Sequence, residues 1–382
     1  MNLKKIRRIT FVISSLSSGG AERVMSIMAN FWAQKGWSVT LITLSSEESD
    51  FYEIHRDVNR IAMGLDGKSD TTLLAIRNNF HRIKVLRSEI ILSKPDVVIS
   101  FLDKTNILTI LSTFGLGIKV IASERTDPRC RDIGVVWTTL RNTTYRWADM
   151  LVAQTSDVGE WLKKIVSKDT VRIIPNPVVE VCESSYVDDQ PLSKFAGQSE
   201  CMYTIVAMGR LGKEKGFDLL LKAFSNIVDQ FHGWKLVIYG EGTERNALVQ
   251  LANELGIAKR VFFPGRVVDS YAALRKADIF VMSSRYEGFP NVLLEAMACG
   301  LPVVSFDCRS GPGQIIRDGL DGVLVPAEDI GALANAMSCL IRDEGKREKI
   351  ASRAPDVLER FSLSKVIGMW EFEINQVLEA KH

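Results

Sequence analysis

Short apolar runs recur along this chain, with helical or loop material between them. "ITFVISSL" (9–16), "WSVTLITL" (37–44), "DVVISF" (96–101), "IKVIAS" (118–123) and "DMLVAQT" (149–155) read as strands. Between the first two, "AERVMSIMANFWAQKG" (21–36) places Val24, Ile27, Met28, Phe31 and Trp32 at helical spacing, and Gly36 closes it. The pattern breaks over 174–202, where "IPNPVVE" and "ESSYVDDQPLSKFAGQSE" are rich in turn formers and read as a linker. It restarts with strands "YTIVAM" (203–208), "KLVIYG" (235–240), "VFFPG" (261–265), "IFVMSS" (279–284) and "PVVSF" (302–306). Helices are expected at 216–231, 243–256, 270–277 and 290–300, and the last segment, 361–382, is helical. Continuous apolar strands alternating with helices imply parallel sheet covered on both faces. The expected fold class is therefore α/β, with two Rossmann-like doubly wound domains. Such sheets bind ligands beyond the carboxyl ends of their strands, and two of them facing each other make a cleft.

Composition narrows this picture. At 382 residues the chain is too long for one compact core. A net charge of +2 gives no argument for nucleic-acid binding. The charge is uneven, with basic clusters at 4–8 and from Arg77 to Arg87. Six cysteines, at 130, 182, 201, 299, 308 and 339, form no Cys-x-x-Cys pair and read as reduced, mostly buried thiols of a cytoplasmic protein. "ITFVI" is too short for a signal-peptide core, and no run of about 18 apolar residues exists to span a membrane.

Three stretches carry candidate chemistry. In "RYEGFPNVLLEAMACGLPVVSFD" (285–307), Glu287 falls in a strand-to-helix loop and Glu295 lies in the helix behind it. Pro290 suits the first turn of that helix, and Gly300 its end. The amides near Asn291, Val292 and Leu293 would then form an anion site. A carboxylate facing that anion would repel it, so Glu287 is expected to face hydroxyl donors, as a sugar or ribose provides. The plain alternative is two surface glutamates flanking a helix start. In "GRLGKEKGFDLL" (209–220), Arg210 and Lys215 precede a helix, which suits a diphosphate; Lys213 reads as solvated. In "SSLSSGGAERV" (14–24), Gly19 and Gly20 allow close approach to the backbone, and Glu22 sits in the first turn, where a capping role is equally open. The four histidines lie in none of these stretches, and no ligand cluster supports a catalytic metal.

Taken together, Glu287-x7-Glu295 within "EGFPNVLLEAMACGLPVV", the "GRLGKEKG" loop, "NP" at 176–177, the early "GGAER" and "GPGQIIRDGLDGVLVP" (311–326) resemble the family 4 retaining glycosyltransferases of the GT-B fold. The resemblance implies an N-terminal acceptor domain, 1–178 with a returning C-terminal helix at about 362–382, and a donor domain, 179–361. It implies a nucleotide sugar, with uridine the expected base and no metal. Arg210 and Lys215 would hold the diphosphate, Glu295 the ribose and Glu287 the transferred sugar. Gly288, Phe289, Pro290, Asn291 and Val292 would line the donor, Arg266 would lie near the base, and Gly19 and Gly20 would close over the phosphates. In the front-face route the leaving diphosphate takes the acceptor's proton. Many relatives carry a histidine near the reacting sugar; here "IASERTDPR" (121–129) has Glu124 and Arg125, which become candidate sugar contacts with Glu22. The acceptor is expected to be a glycan, lipid-linked in bacterial polysaccharide or oligosaccharide assembly. Helix 71–92 places Leu73, Ile76, Phe80, Ile83, Leu86 and Ile90 near one face. It reads either as a sheet-packing helix with a solvated basic face or as a dock on anionic lipid at the inner face of the plasma membrane. Two other readings stand beside transfer: an epimerase or hydrolase of the same donor, and a non-catalytic sugar-binding protein.

Overall fold

The computed structural model describes residues 7–67, 71–179, 202–267 and 269–380. Most of the linker expectation, and Cys182 and Cys201, lie outside the described residues, as do positions 4–6 of the first basic cluster. The chain divides into two compact units, Met1–Asn176 with Val366–His382, and Pro177–Lys365.

The first unit runs β1 (Arg8–Ile13), α1 (Gly20–Gln34), β2 (Ser38–Thr43), β3 (Val58–Ala62), α2 (Thr72–Ser93), β4 (Val97–Phe101), α3 (Asp103–Thr113), β5 (Lys119–Ser123), α4 (Val135–Thr144), β6 (Met150–Ala153), α5 (Ser156–Leu162) and β7 (Val171–Ile173). Its seven strands lie in the order β3-β2-β1-β4-β5-β6-β7, all parallel. The second unit runs β8 (Tyr203–Met208), α6 (Phe217–Ser225), β9 (Trp234–Tyr239), α7 (Arg245–Glu254), β10 (Val261–Gly265), α8 (Ser270–Arg275), β11 (Ile279–Met282), α9 (Asn291–Ala298), β12 (Val303–Asp307), α10 (Pro312–Ile315), β13 (Val323–Pro326), α11 (Ile330–Arg342), α12 (Glu344–Arg353) and α13 (Asp356–Arg360). Its order is β10-β9-β8-β11-β12-β13, again all parallel. Central strands such as β4 and β9 are buried along their whole length, which is why they read as unbroken apolar runs.

The last helix, α14 (Leu363–Glu379), begins in the second unit and continues into the first. There it buries Val366, Ile367, Trp370, Ile374 and Val377, an apolar stripe at helical spacing. Trp32 Nε1 and Lys35 Nζ both donate to Glu371 Oε1, at 3.0 and 2.6 Å, and Arg172 Nε donates to Glu373 at 3.0 Å. Fully burying side chains of this size contributes about 2 kcal/mol each, so the stripe outweighs the flanking ion pairs.

Several expectations shift here. The helix expected at 216–231 ends at Ser225, and the one at 290–300 spans Asn291–Ala298. Strands β3, β7 and β13 are short edge or near-edge pieces that the hydrophobic pattern did not single out. Helix α2 does not present one packed face: Leu86 and Ile90 are buried, while Leu73, Ile76 and Phe80 are exposed. Of the described cysteines only Cys308 is buried; Cys130, Cys299 and Cys339 are half-buried.

Candidate active site

In each sheet the strand order reverses beside the first strand, between β1 and β4 and between β8 and β11. Loops leaving the two central strands diverge there and open a crevice. In the second unit these are the loops 209–216 after β8 and 283–290 after β11, which carry Arg210, Lys215 and Glu287.

The structure brings Lys215 and Glu287 into direct contact. Lys215 Nζ donates to Glu287 Oε1 at 2.6 Å, and Ser284 Oγ donates to the same oxygen at 2.6 Å. The pair is only partly exposed, 22% and 10% for the two side chains. Arg210 is exposed; its Nε donates to Glu214 Oε1 at 2.9 Å. Burial pushes the Glu214 carboxyl up, but a backbone N–H and the Arg210 bond and charge reverse this and hold it below its usual range. Gly209 lies against the Lys215 stem, 3.4 Å from where a Cβ would stand, so a larger residue here would crowd the lysine.

Pro290 is the N-cap of α9, one position earlier than expected, and Asn291 is the first helical residue. The Leu293 and Leu294 amides turn back to Pro290 O at 3.2 and 3.4 Å, so Leu293 drops out of the expected anion site. Pro290 makes no side-chain cap bond, and the Asn291 and Val292 amides lie at the positive end of the helix. Phe289 is buried, edge-on to Phe361 at 5.5 Å, and anchors the loop. Gly288 and Pro290 press on Gly311, whose φ of +107° and lack of a Cβ allow the approach.

Glu295 is 4% exposed, and its Oε2 accepts from Ser270 Oγ of α8 at 2.7 Å. It is therefore not a surface glutamate. Arg266, just past β10, is exposed. Cys308 lies near this group, and burial, followed by the Glu287 charge, pushes its thiol up to about 12, so it stays protonated. Ser283, Ser284, Asp218 and Arg285 belong to the network around Lys215 and Glu287, Ser270 holds Glu295, and none of them was singled out by the sequence. The serine pair directly before Arg285 was the one available signal.

The first unit holds the other candidates. Gly19 caps α1 with an ordinary φ of −88°, and the group that approaches it is the Glu22 carboxylate, 2.1 Å from where a Cβ would stand. Gly20 opens the helix. Glu124 and Arg125 follow β5 and are both buried. Tyr145 OH donates to Glu124 Oε1 at 2.5 Å, and Asn106 Nδ2 donates to the Tyr145 oxygen at 3.2 Å. Burial, aided by the nearby Asp103 charge, pushes the Glu124 carboxyl up to about 7 against the Tyr145 bond and the Arg141 and Arg131 charges. The Arg125 guanidinium stacks 3.3 Å from the Phe101 ring centre and 5.9 Å from that of Trp370. Its Nη1 donates to Asn176 Oδ1 at 2.8 Å, while Nε and Nη2 have no hydrogen-bond partner among the described residues. Burial lowers its pKa, yet a guanidinium stays charged.

Two family models match the chain: "Glycosyltransferase Family 4" over residues 18–180 and "Glycosyl transferases group 1" over residues 190–357. A Campylobacter jejuni alpha-1,4-N-acetyl-D-galactosaminyltransferase, named for an undecaprenol-diphosphate-linked oligosaccharide, is 30% identical over 98% of this chain and 99% of its own length. An amylovoran biosynthesis glycosyltransferase of Erwinia amylovora is 26% identical over 96% and 99%. Among solved structures, Anabaena HepE in complex with UDP and glucose superposes with a TM-score of 0.78 at 18% identity, covering 97% of this chain and 99% of that one. A Rickettsia africae glycosyltransferase does so with 0.79 at 18%, covering 99% and 100%. The two matched halves, the whole-length relative and the paired parallel sheets agree: this chain belongs to the family 4, group 1 glycosyltransferases and has the GT-B fold.

Proposed function

We propose that the chain is a retaining transferase that moves a sugar from a UDP-sugar to a lipid-linked glycan in bacterial polysaccharide or oligosaccharide assembly. The observation that carries the reading is the Lys215–Glu287 pair at the switch point of the second sheet, beside the start of α9. A cation and a helix start suit the diphosphate, and a carboxylate suits a sugar hydroxyl. In this reading the second unit is the donor domain and the first, with the end of α14, the acceptor domain. Lys215 and Arg210 stabilise the diphosphate as the bond from the anomeric carbon to its phosphate oxygen breaks. The acceptor oxygen attacks from the same face, and its proton passes to the departing diphosphate. That route needs neither a metal nor a side-chain base. Glu295, held by Ser270, takes the ribose hydroxyls, Gly19 and Gly20 meet the phosphates, and Arg266 lies toward the base. Glu22, Glu124 and Arg125 remain candidates on the acceptor side.

The Campylobacter relative's name supports the lipid-linked acceptor. So does α2, whose exposed Leu73, Ile76 and Phe80 alternate with exposed Arg77, His81 and Lys84. Apolar side chains interleaved with cations suit an anionic membrane surface, and we place the protein there peripherally. No helix among the described residues is long and apolar enough to cross a membrane.

The test incubates the protein with UDP- and GDP-sugars and an undecaprenyl-diphosphate-linked glycan. Transfer with the anomeric configuration kept, from a UDP-sugar, is expected. Donor breakdown without transfer would favour the hydrolase or epimerase reading, and binding without turnover the sugar-binding one.

A further inference from the structure

The donor-site reading leaves Lys215 with two duties. In the structure its ammonium donates to Glu287, and to hold a diphosphate the same three-donor group must reach a second acceptor. A lysine is a point charge on a flexible four-carbon stem, so where it can stand between the two depends on the backbone that carries it. That backbone is gripped at nearly every residue by the segment after β11. Ser283 Oγ donates to Lys215 O at 3.0 Å, and Arg285 N donates to Glu214 O at 2.8 Å. Arg285 Nη1 donates to Lys213 O at 2.7 Å. The same guanidinium takes Asp218 in a two-pronged pair, at 2.8 and 2.7 Å. Gly216 sits with φ +60° so close to the Ser283 carbonyl that a Cβ would meet its oxygen at 2.0 Å.

The Arg285 cation is not itself placed to receive a phosphate. Two carboxylates already flank it, Asp218 and Glu328, the latter 3.2 Å from Nε. Burial pushes the Asp218 carboxyl up, but the bond and charge of Arg285 more than reverse this and hold it below its usual range, so the pair stays ionised. Its remaining donor bond goes to a main-chain carbonyl. A planar fork that joins a carboxylate to a backbone oxygen sets a geometry rather than supplying a free charge.

We propose that Arg285 is a positioning residue. Through Asp218 and the Lys213 carbonyl it locks the turn 212–218, so that the Lys215 ammonium stays in register between Glu287 and the diphosphate. Arg285 and Glu287 stand two residues apart on one segment, which thus supplies the carboxylate and fixes the height of the lysine opposite. This role rests on the donor-site reading of Lys215 and Glu287.

A double-mutant cycle on the full chain tests it, with UDP binding read by calorimetry and the melting temperature read in parallel. Arg285→Ala should weaken UDP about tenfold, part of what a charge-assisted bond from a well-placed Lys215 to the diphosphate contributes. In a Lys215→Ala background the same change should cost less than about twofold, because the lysine it positions is gone. Arg285→Lys, which keeps the charge without the fork, should fall between and serves where the alanine variant does not fold. Equal losses with and without Lys215 would overturn the positioning role while leaving the donor site standing. A wild-type chain that binds neither UDP nor GDP would overturn both. A fall in melting temperature with UDP affinity unchanged would also overturn the proposal.

Discussion

The two sheets share a topology and treat their charged residues in opposite ways. After β11, Glu287 sits in a pair with Lys215, and both side chains keep some contact with solvent. After β5, Glu124 and Arg125 are adjacent in sequence yet take separate partners, Tyr145 for the one and Phe101 with Asn176 for the other, and both are buried. A paired, half-buried carboxylate is ready for chemistry at little cost. A deeply buried one with no cation bonded to it is strained toward its protonated form. The carboxyl end of a parallel sheet thus carries a reaction site in one unit, in our reading, and in the other, one strand beyond the switch point, a pair of buried charges.

Removing the reactive side should show the largest effect. Glu287→Ala is expected to lower kcat by about a thousandfold while UDP binding is kept, as for loss of a group that acts mainly in the transition state. Initial rates and calorimetry check it; unchanged transfer would mean that Glu287 does not contact the transferred sugar. On the buried side the expected loss is in stability instead. Arg125→Ala should cost about 3 kcal/mol in urea unfolding, since it opens a space between Phe101 and Trp370 and removes one bond to Asn176.

The contrast also has a pH signature. Folding lifts the Glu124 carboxyl from 4.5 to about 7, so between these values the folded chain keeps a proton that the unfolded chain has lost. Its stabilisation is full below pH 4.5 and is lost as pH rises through 7, a change of about 3 kcal/mol. Glu124→Gln should flatten that part of a stability–pH curve; an unchanged slope would place the proton elsewhere. The smallest effect is expected at Ser270→Ala. Loss of its bond to Glu295 should cost about 1 kcal/mol, and a larger cost would mean that Ser270 holds more of α8 than this contact.

Much of the candidate site stood out in advance because its residues are types that the surrounding pattern does not need. Glu287 and Glu295 break an apolar stretch, Pro290 announces a helix start, and Lys215 and Arg210 precede another. Arg285 was not legible, because an arginine next to a tyrosine in a loop carries no period and no motif. Its meaning appears only when β8 and β11 lie side by side and its fork reaches Lys213 and Asp218. Helix α2 stayed open between two readings for a related reason. Its apolar residues have helical spacing, but the packed neighbours cover only the turns around Leu86 and Ile90.

The sequence by itself determined the alternation of strands and helices, the doubly wound class and the set of charged residues at the strand ends. Those follow from local periodicity and from which side chains a core excludes. Only the tertiary structure decided which of those charges pair, which are buried and which turn each of them holds. Residues 72 positions apart, such as Lys215 and Glu287, meet because strand order reverses at the centre of the sheet, and no local pattern encodes that distance.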